Sequence, residues 1–200
     1  MRVPSYYFPP IAFFQFVWNE SNLRISGGET FSKQSWRTRT ALLSANGRQL
    51  LSLPVVRKNG KDTRMHEVEL THQTDWRKDH WKAIESAYRH APYFFYYGEQ
   101  IKALIYQNEI NLIRFNTTIL QQLLDWLDFT LPLEIEQESE EGIDPLIYPL
   151  EQKTLAFPQA LYIQVFNDKL PFEPNLSVID LLLNEGPLAR NYITSSKLPN

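Results

Sequence analysis

The chain has 200 residues, with 12 Phe, 10 Tyr, 5 Trp, 13 Pro, only 7 Gly and no Cys, and its 20 basic against 23 acidic residues give a net charge of −3. This length suits one domain with a core of its own, and the absence of Cys excludes disulfides, thiol nucleophiles, zinc–thiolate sites and iron–sulfur clusters. The acidic balance argues against nucleic acid as a partner, and no apolar run approaches the ~20 residues that span a bilayer.

In chain order, residues 6–10 (Tyr-Tyr-Phe-Pro-Pro) predict an extended lead-in, because proline disfavours helix in the residue before it. Residues 11–18 predict a short apolar helix entered at Pro10. The prolines before it and the lack of a small-residue cleavage site argue against a signal peptide. With no Cys to protect, a cytoplasmic location is expected. Residues 22–26 predict a short strand ended by Gly27-Gly28. Residues 33–43 and 48–56 predict two strands around an Asn46-Gly47 type I′ turn, with Pro54 marking an edge. Residues 65–70 give a further strand.

Residues 75–90 predict a helix with Asp75 as N-cap and Ala91-Pro92 as its stop. Five aromatics follow at 93–97, then a short helix at 98–106. The strongest helical signal covers 111–129, where Leu112, Phe115, Ile119, Leu123, Trp126 and Leu127 form one stripe. An acidic loop is expected at 134–145, a strand at 161–166, a helix at 175–183 with Ser177 and Asp180 as a capping pair, and a frayed tail at 195–200. The whole predicts a single α+β domain over 1–200, a small antiparallel sheet with helices packed against it.

Two stretches carry candidate chemistry. If 33–39 is a strand, Lys33, Ser35, Arg37 and Arg39 alternate onto one face. Such a row either grips phosphate or carboxylate or guards an exposed sheet edge with charge. On the helix at 75–90, Trp76, His80, Ile84 and Tyr88 descend one face in four-residue steps. His80 there is either a general base, with Tyr88 as a hydrogen-bonding neighbour, or a structural imidazole satisfied by backbone. Asp180 either pairs a strand cation, orients His80 or compensates the helix dipole. His66, His72, His80 and His90 show no metal-binding spacing, so no metal site is expected, and no glycine-rich phosphate loop or nucleophile motif occurs.

Taken in order, Tyr7-Phe8-Pro9-Pro10-Ile11, Lys33 to Arg39, Ala45-Asn46-Gly47, Leu51-Ser52-Leu53-Pro54-Val55, Trp76, His80-Trp81, Tyr88, Pro92-Tyr93-Phe94, Phe115-Asn116, Gln164-Val165-Phe166 and Asn175-Leu176-Ser177 resemble the WbqC-like protein family. Relatives often carry an acidic residue where this chain has Ser26-Gly27-Gly28, which leaves Glu29 as the carboxylate in its place. The resemblance implies a role in building bacterial surface polysaccharide of the O-antigen type, as a transferase that moves an amino acid or acyl group to a sugar amine. It implies an anionic small-molecule partner, an activated sugar or acyl donor, and names no cofactor. On that reading Lys33, Ser35, Arg37 and Arg39 hold the anion and His80 takes a proton. Tyr88 and Asn116 position the substrate, with Asp180 close by. A non-catalytic module that binds a nucleotide-linked sugar or a partner enzyme is the alternative.

Overall fold

The computed structural model describes residues 1–71, 73–137, 142–144, 150 and 159–195. A parallel sheet is built from β1 (Arg2–Val3), β2 (Leu23–Ser26) and β7 (Leu133–Glu136), with β2 in the centre. Between β1 and β2 the chain crosses over through α1 (Ile11–Val17), six of whose seven residues are buried. A helix covered on nearly every side must be apolar nearly all round, and Ile-Ala-Phe-Phe-Gln-Phe-Val meets that demand.

Two antiparallel ladders complete the strands among the described residues. They are the hairpin of β3 (Arg39–Ser44) with β4 (Gly47–Ser52), and the short pair β5 (Val55–Val56) with β6 (Glu69–Leu70). Further helices are α2 (Trp76–Tyr88), α3 (Phe94–Tyr106), α4 (Leu112–Trp126), α5 (Val178–Glu185) and α6 (Ala189–Ser195). Helix α2 packs on β3 and α3, α3 meets α5, and α1 meets α6. The α+β composition and the antiparallel pairs agree with the sequence reading, to which the structure adds the parallel sheet. In α4 the expected stripe is buried apart from half-buried Trp126, and Asn111 caps the helix by accepting from Arg114 N at 3.2 Å.

The lead-in is not extended throughout: it bends at Tyr7 and Phe8, is extended at Pro10, and runs through the interior. Tyr6, Tyr7 and Phe8 are at most 1% exposed. Tyr7 N donates to Trp36 O at 2.9 Å, Ile11 N to Leu176 O at 2.9 Å and Val178 N to Pro9 O at 3.0 Å. Phe8 turns the chain with φ 41°, and its carbonyl accepts from both Thr40 Oγ1 at 2.9 Å and Ser177 Oγ at 3.1 Å. A buried carbonyl needs such partners, so this segment fixes hairpin and α5 against each other.

Several predicted elements differ. Residues 33–38 form turns, not a strand. Gln34 takes φ 58°, which breaks an extended run, so Lys33, Ser35, Arg37 and Arg39 do not share a strand face. The hairpin turn centres on Ala45-Asn46, neither with positive φ, and Gly47 supplies φ 96° one position later than a type I′ turn needs. Residues 65–67 form a 3-10 turn before β6. Within the acidic run, Glu134–Glu136 is strand, and Arg2 Nε of β1 at 2.6 Å and Arg24 Nη1 of β2 at 3.3 Å neutralise Glu136 there. Residues 138–141 and 145 of that run lie outside the described residues, as do 196–200 of the expected tail. Residues 161–166 carry no ladder. Instead the Gln164 amide plays the part of a neighbouring strand, accepting from Glu173 N at 2.9 Å and donating to Glu173 O at 2.8 Å.

Candidate functional site

Helix α2 presents Trp76, His80, Ile84 and Tyr88 on one face, all buried, as the four-residue spacing predicts. His80 Nδ1 lies 2.9 Å from the Tyr7 hydroxyl, and the Trp76 ring stands edge-on at 5.3 Å. Burial pulls the His80 pKa down to about 4, while the Ser52 backbone and the Asp79 charge pull the other way. The imidazole is therefore neutral near pH 7. Burial raises the pKa of the Tyr7 phenol, so that phenol keeps its proton and donates it to Nδ1. The remaining ring N–H faces the Ser52 backbone, which fixes the tautomer. Ser52 is the register partner of Arg39. The hairpin end that carries Arg39 and the imidazole of His80 are thus neighbours.

Tyr88 belongs to a second buried group. Its hydroxyl accepts from Leu43 N at 3.1 Å, and burial, with Asp180 beside it, raises its pKa. Asp180 is fully buried and accepts from the Tyr162 hydroxyl through Oδ2. Its Oδ1 has no hydrogen-bond partner, although the Tyr88 phenol is close enough to act on its charge. Burial raises the Asp180 pKa to about 6, with Tyr162, Tyr88 and Gln164 opposing the rise. Ser177 caps α5 by accepting from Ile179 N at 3.5 Å, so the expected capping pair reduces to Ser177 alone and Asp180 turns inward.

The expected row of cations is dispersed. Arg37, 3% exposed, grips Glu29 with two bonds, Nε to Oε1 at 2.9 Å and Nη2 to Oε2 at 2.7 Å. Its guanidinium lies 5.9 Å over the Tyr6 ring, and its carbonyl accepts from Asn116 Nδ2 at 2.9 Å. Ser35 Oγ closes a local turn onto Ser32 O at 2.8 Å. Lys33 is exposed and Arg39 half-buried, and neither has an ion-pair partner among the described residues. His72 is outside the described residues.

The structure thus brings together His80 and the Arg39 end of the hairpin, Tyr88 with Asp180, and Arg37 with Asn116. It does not gather them into one cluster. Two surface hollows of about 390 and 600 Å³, one beside Asp125 and Phe129 and one beside Arg24 and Asp144, include none of these residues in their walls. Sequence reasoning missed Tyr7 as the partner of His80, and Tyr162 and Gln164 as partners of Asp180. The alternation of Tyr162 and Gln164 within 161–166 was the available signal for the latter two. Tyr7 gave none beyond its place in the aromatic lead-in.

Comparison with known proteins places these observations. The chain is 26% identical to the uncharacterised protein Rv1507c of Mycobacterium tuberculosis, across 96% of its own length and 95% of the relative. No solved structure matches it. The sequence profile of the WbqC-like protein family matches residues 4–153, a span that contains Tyr7, Glu29, Arg37, Arg39, His80, Tyr88 and Asn116. The chain, three quarters of which that profile covers, belongs to the WbqC-like protein family.

Proposed function

We propose that this protein is a group-transfer enzyme that moves an amino acid or acyl group to a sugar amine during assembly of surface polysaccharide, in the cytoplasm. The observation that carries the reading is the neutral, tautomer-fixed imidazole of His80 beside the hairpin end bearing Arg39. As the amine nitrogen bonds to the acyl carbon, its proton passes to the Tyr7 hydroxyl oxygen while the Tyr7 proton moves to His80 Nδ1, and the leaving group departs with the electron pair of the broken bond. Arg39 and Lys33 hold the charge that gathers on the leaving group, the stabilisation such a transfer most needs. Asp180 and Tyr88 brace α2 and α5 behind the imidazole.

A second reading has its own observation. Arg37 is engaged by Glu29 and Asp180 is sealed beneath Tyr162, which suits a non-catalytic module that binds a nucleotide-linked sugar or a partner enzyme. Thermal stabilisation by a panel of nucleotide sugars, followed by mass spectrometry of mixtures with acyl and aminoacyl donors, separates the two. Transfer that His80→Ala abolishes in a folded protein is the expected result. Stabilisation without product across the donors selects the module, and wild-type turnover by His80→Ala overturns the assignment.

A further inference from the structure

Helix α3 has two unlike faces. Tyr97, Ile101, Leu104 and Ile105 form its buried side, and the helix packs on α2 and α5. On the opposite side stand Phe95, Glu99, Lys102 and Tyr106, at steps of four, three and four residues. That is the spacing of the contact seam between two paired helices, where side chains recur every 3.5 residues on average. Phe95 is 100% exposed and Tyr106 44%, while the side chains of Glu99 and Lys102 are 81% and 41% exposed. Single exposed apolar residues are ordinary, whereas aromatics at both ends of one helical stripe make a patch that suits a partner.

The order of these residues selects the partner. From either end the seam runs aromatic, charged, charged, aromatic, with acid and base exchanged. A second α3 laid against it in the opposite direction, about a twofold axis between Gln100 and Ile101, sets Phe95 against the partner's Tyr106 and Glu99 against the partner's Lys102. The symmetry makes each contact twice. Aromatic pairs gain beyond the area they bury, and four charges of alternating sign meet at the centre. Lys102 is already steadied, with Nζ 3.5 Å from Glu99 Oε2 of its own chain and 5.3 Å from the centre of the Trp81 ring. Little side-chain freedom is therefore lost when it meets a second carboxylate. A helix of 13 residues is about 20 Å long, and one such pair covers less than the roughly 800 Å² per partner of a stable complex. The dimer is accordingly weak and concentration-dependent.

We infer that α3 is the surface on which two copies of this chain associate, antiparallel, through Phe95, Glu99, Lys102 and Tyr106. None of the four takes part in the transfer reading, so the two stand or fall separately.

Sedimentation equilibrium of the full chain up to about 1 mM tests it. The expected result is a mean mass that rises from 23.5 kDa towards twice that value, with a dissociation constant of about 50–500 µM. Phe95→Asp alters a fully exposed side chain, keeps the wild-type melting temperature and weakens association about tenfold or more, because it acts at two contacts. Glu99→Lys and Lys102→Glu each set like charges against each other and are monomeric alone. Mixed, they restore a dimer, since the bases of one chain then face the acids of the other. The ion pair within each chain stays broken in that mixture, so recovery reports the contact between copies. A dimer that all three variants leave unchanged overturns the assignment to α3, and a mixture that associates no better than its components overturns the antiparallel register. A chain that stays monomeric at 1 mM overturns the dimer outright; Phe95-dependent flotation of that monomer with phosphatidylglycerol vesicles would give the face to a lipid surface instead.

Discussion

The Tyr7 hydroxyl and His80 Nδ1 lie 2.9 Å apart although 73 residues separate them in the chain. The pair has a pH signature. The folded pKa of His80 is about 4, below the ordinary value of 6.5. Between these values the unfolded chain binds a proton that the folded chain refuses. Stability is therefore full above about pH 6.5 and is lost as pH falls towards 4, by at most about 3 kcal/mol. The imidazole proton resonance of His80 is expected to hold its neutral position down to about pH 5, and a midpoint near 6.5 would refute the burial argument. Tyr7→Phe strips Nδ1 of its donor and should cost about 1–2 kcal/mol in urea denaturation.

Asp180 works in the opposite direction. Its folded pKa is raised from 3.8 to about 6, so the folded protein binds the proton more tightly. The resulting stability is full below about pH 4 and is lost as pH rises through 6, again by at most about 3 kcal/mol. Across this window the slopes of His80 and Asp180 offset each other. Asp180→Asn removes one of them and still accepts from Tyr162. Its melting temperature is expected to match wild type near pH 4 and exceed it near pH 8. A variant less stable than wild type near pH 8 would show that the fold needs the carboxylate as an anion.

Arg37 is predicted to be structural before it is anything else. Its side chain is 4% exposed, and that of Glu29 is 14% exposed. Truncating one member leaves the other without its counter-charge, which costs about 3 kcal/mol for a buried pair. Arg37→Ala and Glu29→Ala should each lower the unfolding midpoint in urea, and Arg37→Met with Glu29→Leu should recover much of the loss. Unchanged stability in Arg37→Ala would return the guanidinium to the list of ligand-binding groups.

Gly186 ends α5 with φ 56°, and a Cβ there would overlap the Tyr93 ring. Gly186→Ala is therefore expected to destabilise by more than about 2 kcal/mol. Adding Tyr93→Ala relieves the overlap but not the backbone strain, so the double variant should regain only part of the loss. Full tolerance of the single change would mean that the α5 end rearranges freely.

What the sequence revealed was local. The α4 stripe and the Trp76–His80–Ile84–Tyr88 face were legible because helix periodicity operates within a few residues. The parallel sheet was not. β1 is two residues long, and β2 meets β7 across more than half the chain. Glu136 read as part of a solvated acidic run because Arg2 and Arg24, which neutralise it, sit on other strands. The alternating cations of 33–39 carried the same pattern whether they faced solvent, a ligand or Glu29, and sequence spacing does not separate those cases. His80 was found from its spacing, whereas its partner lay on a segment with no periodicity to link them.

The double acceptor role of the Phe8 carbonyl has a consequence for synthesis. Ser177, one of its donors, follows 169 residues later. At about 5–20 residues per second, an aromatic stretch destined for the interior waits on the order of ten seconds on the ribosome before its last partner emerges. A translation product that stops short of α5 leaves Tyr6, Tyr7 and Phe8 uncovered, an adhesive segment for chaperones to shield and for aggregates to recruit.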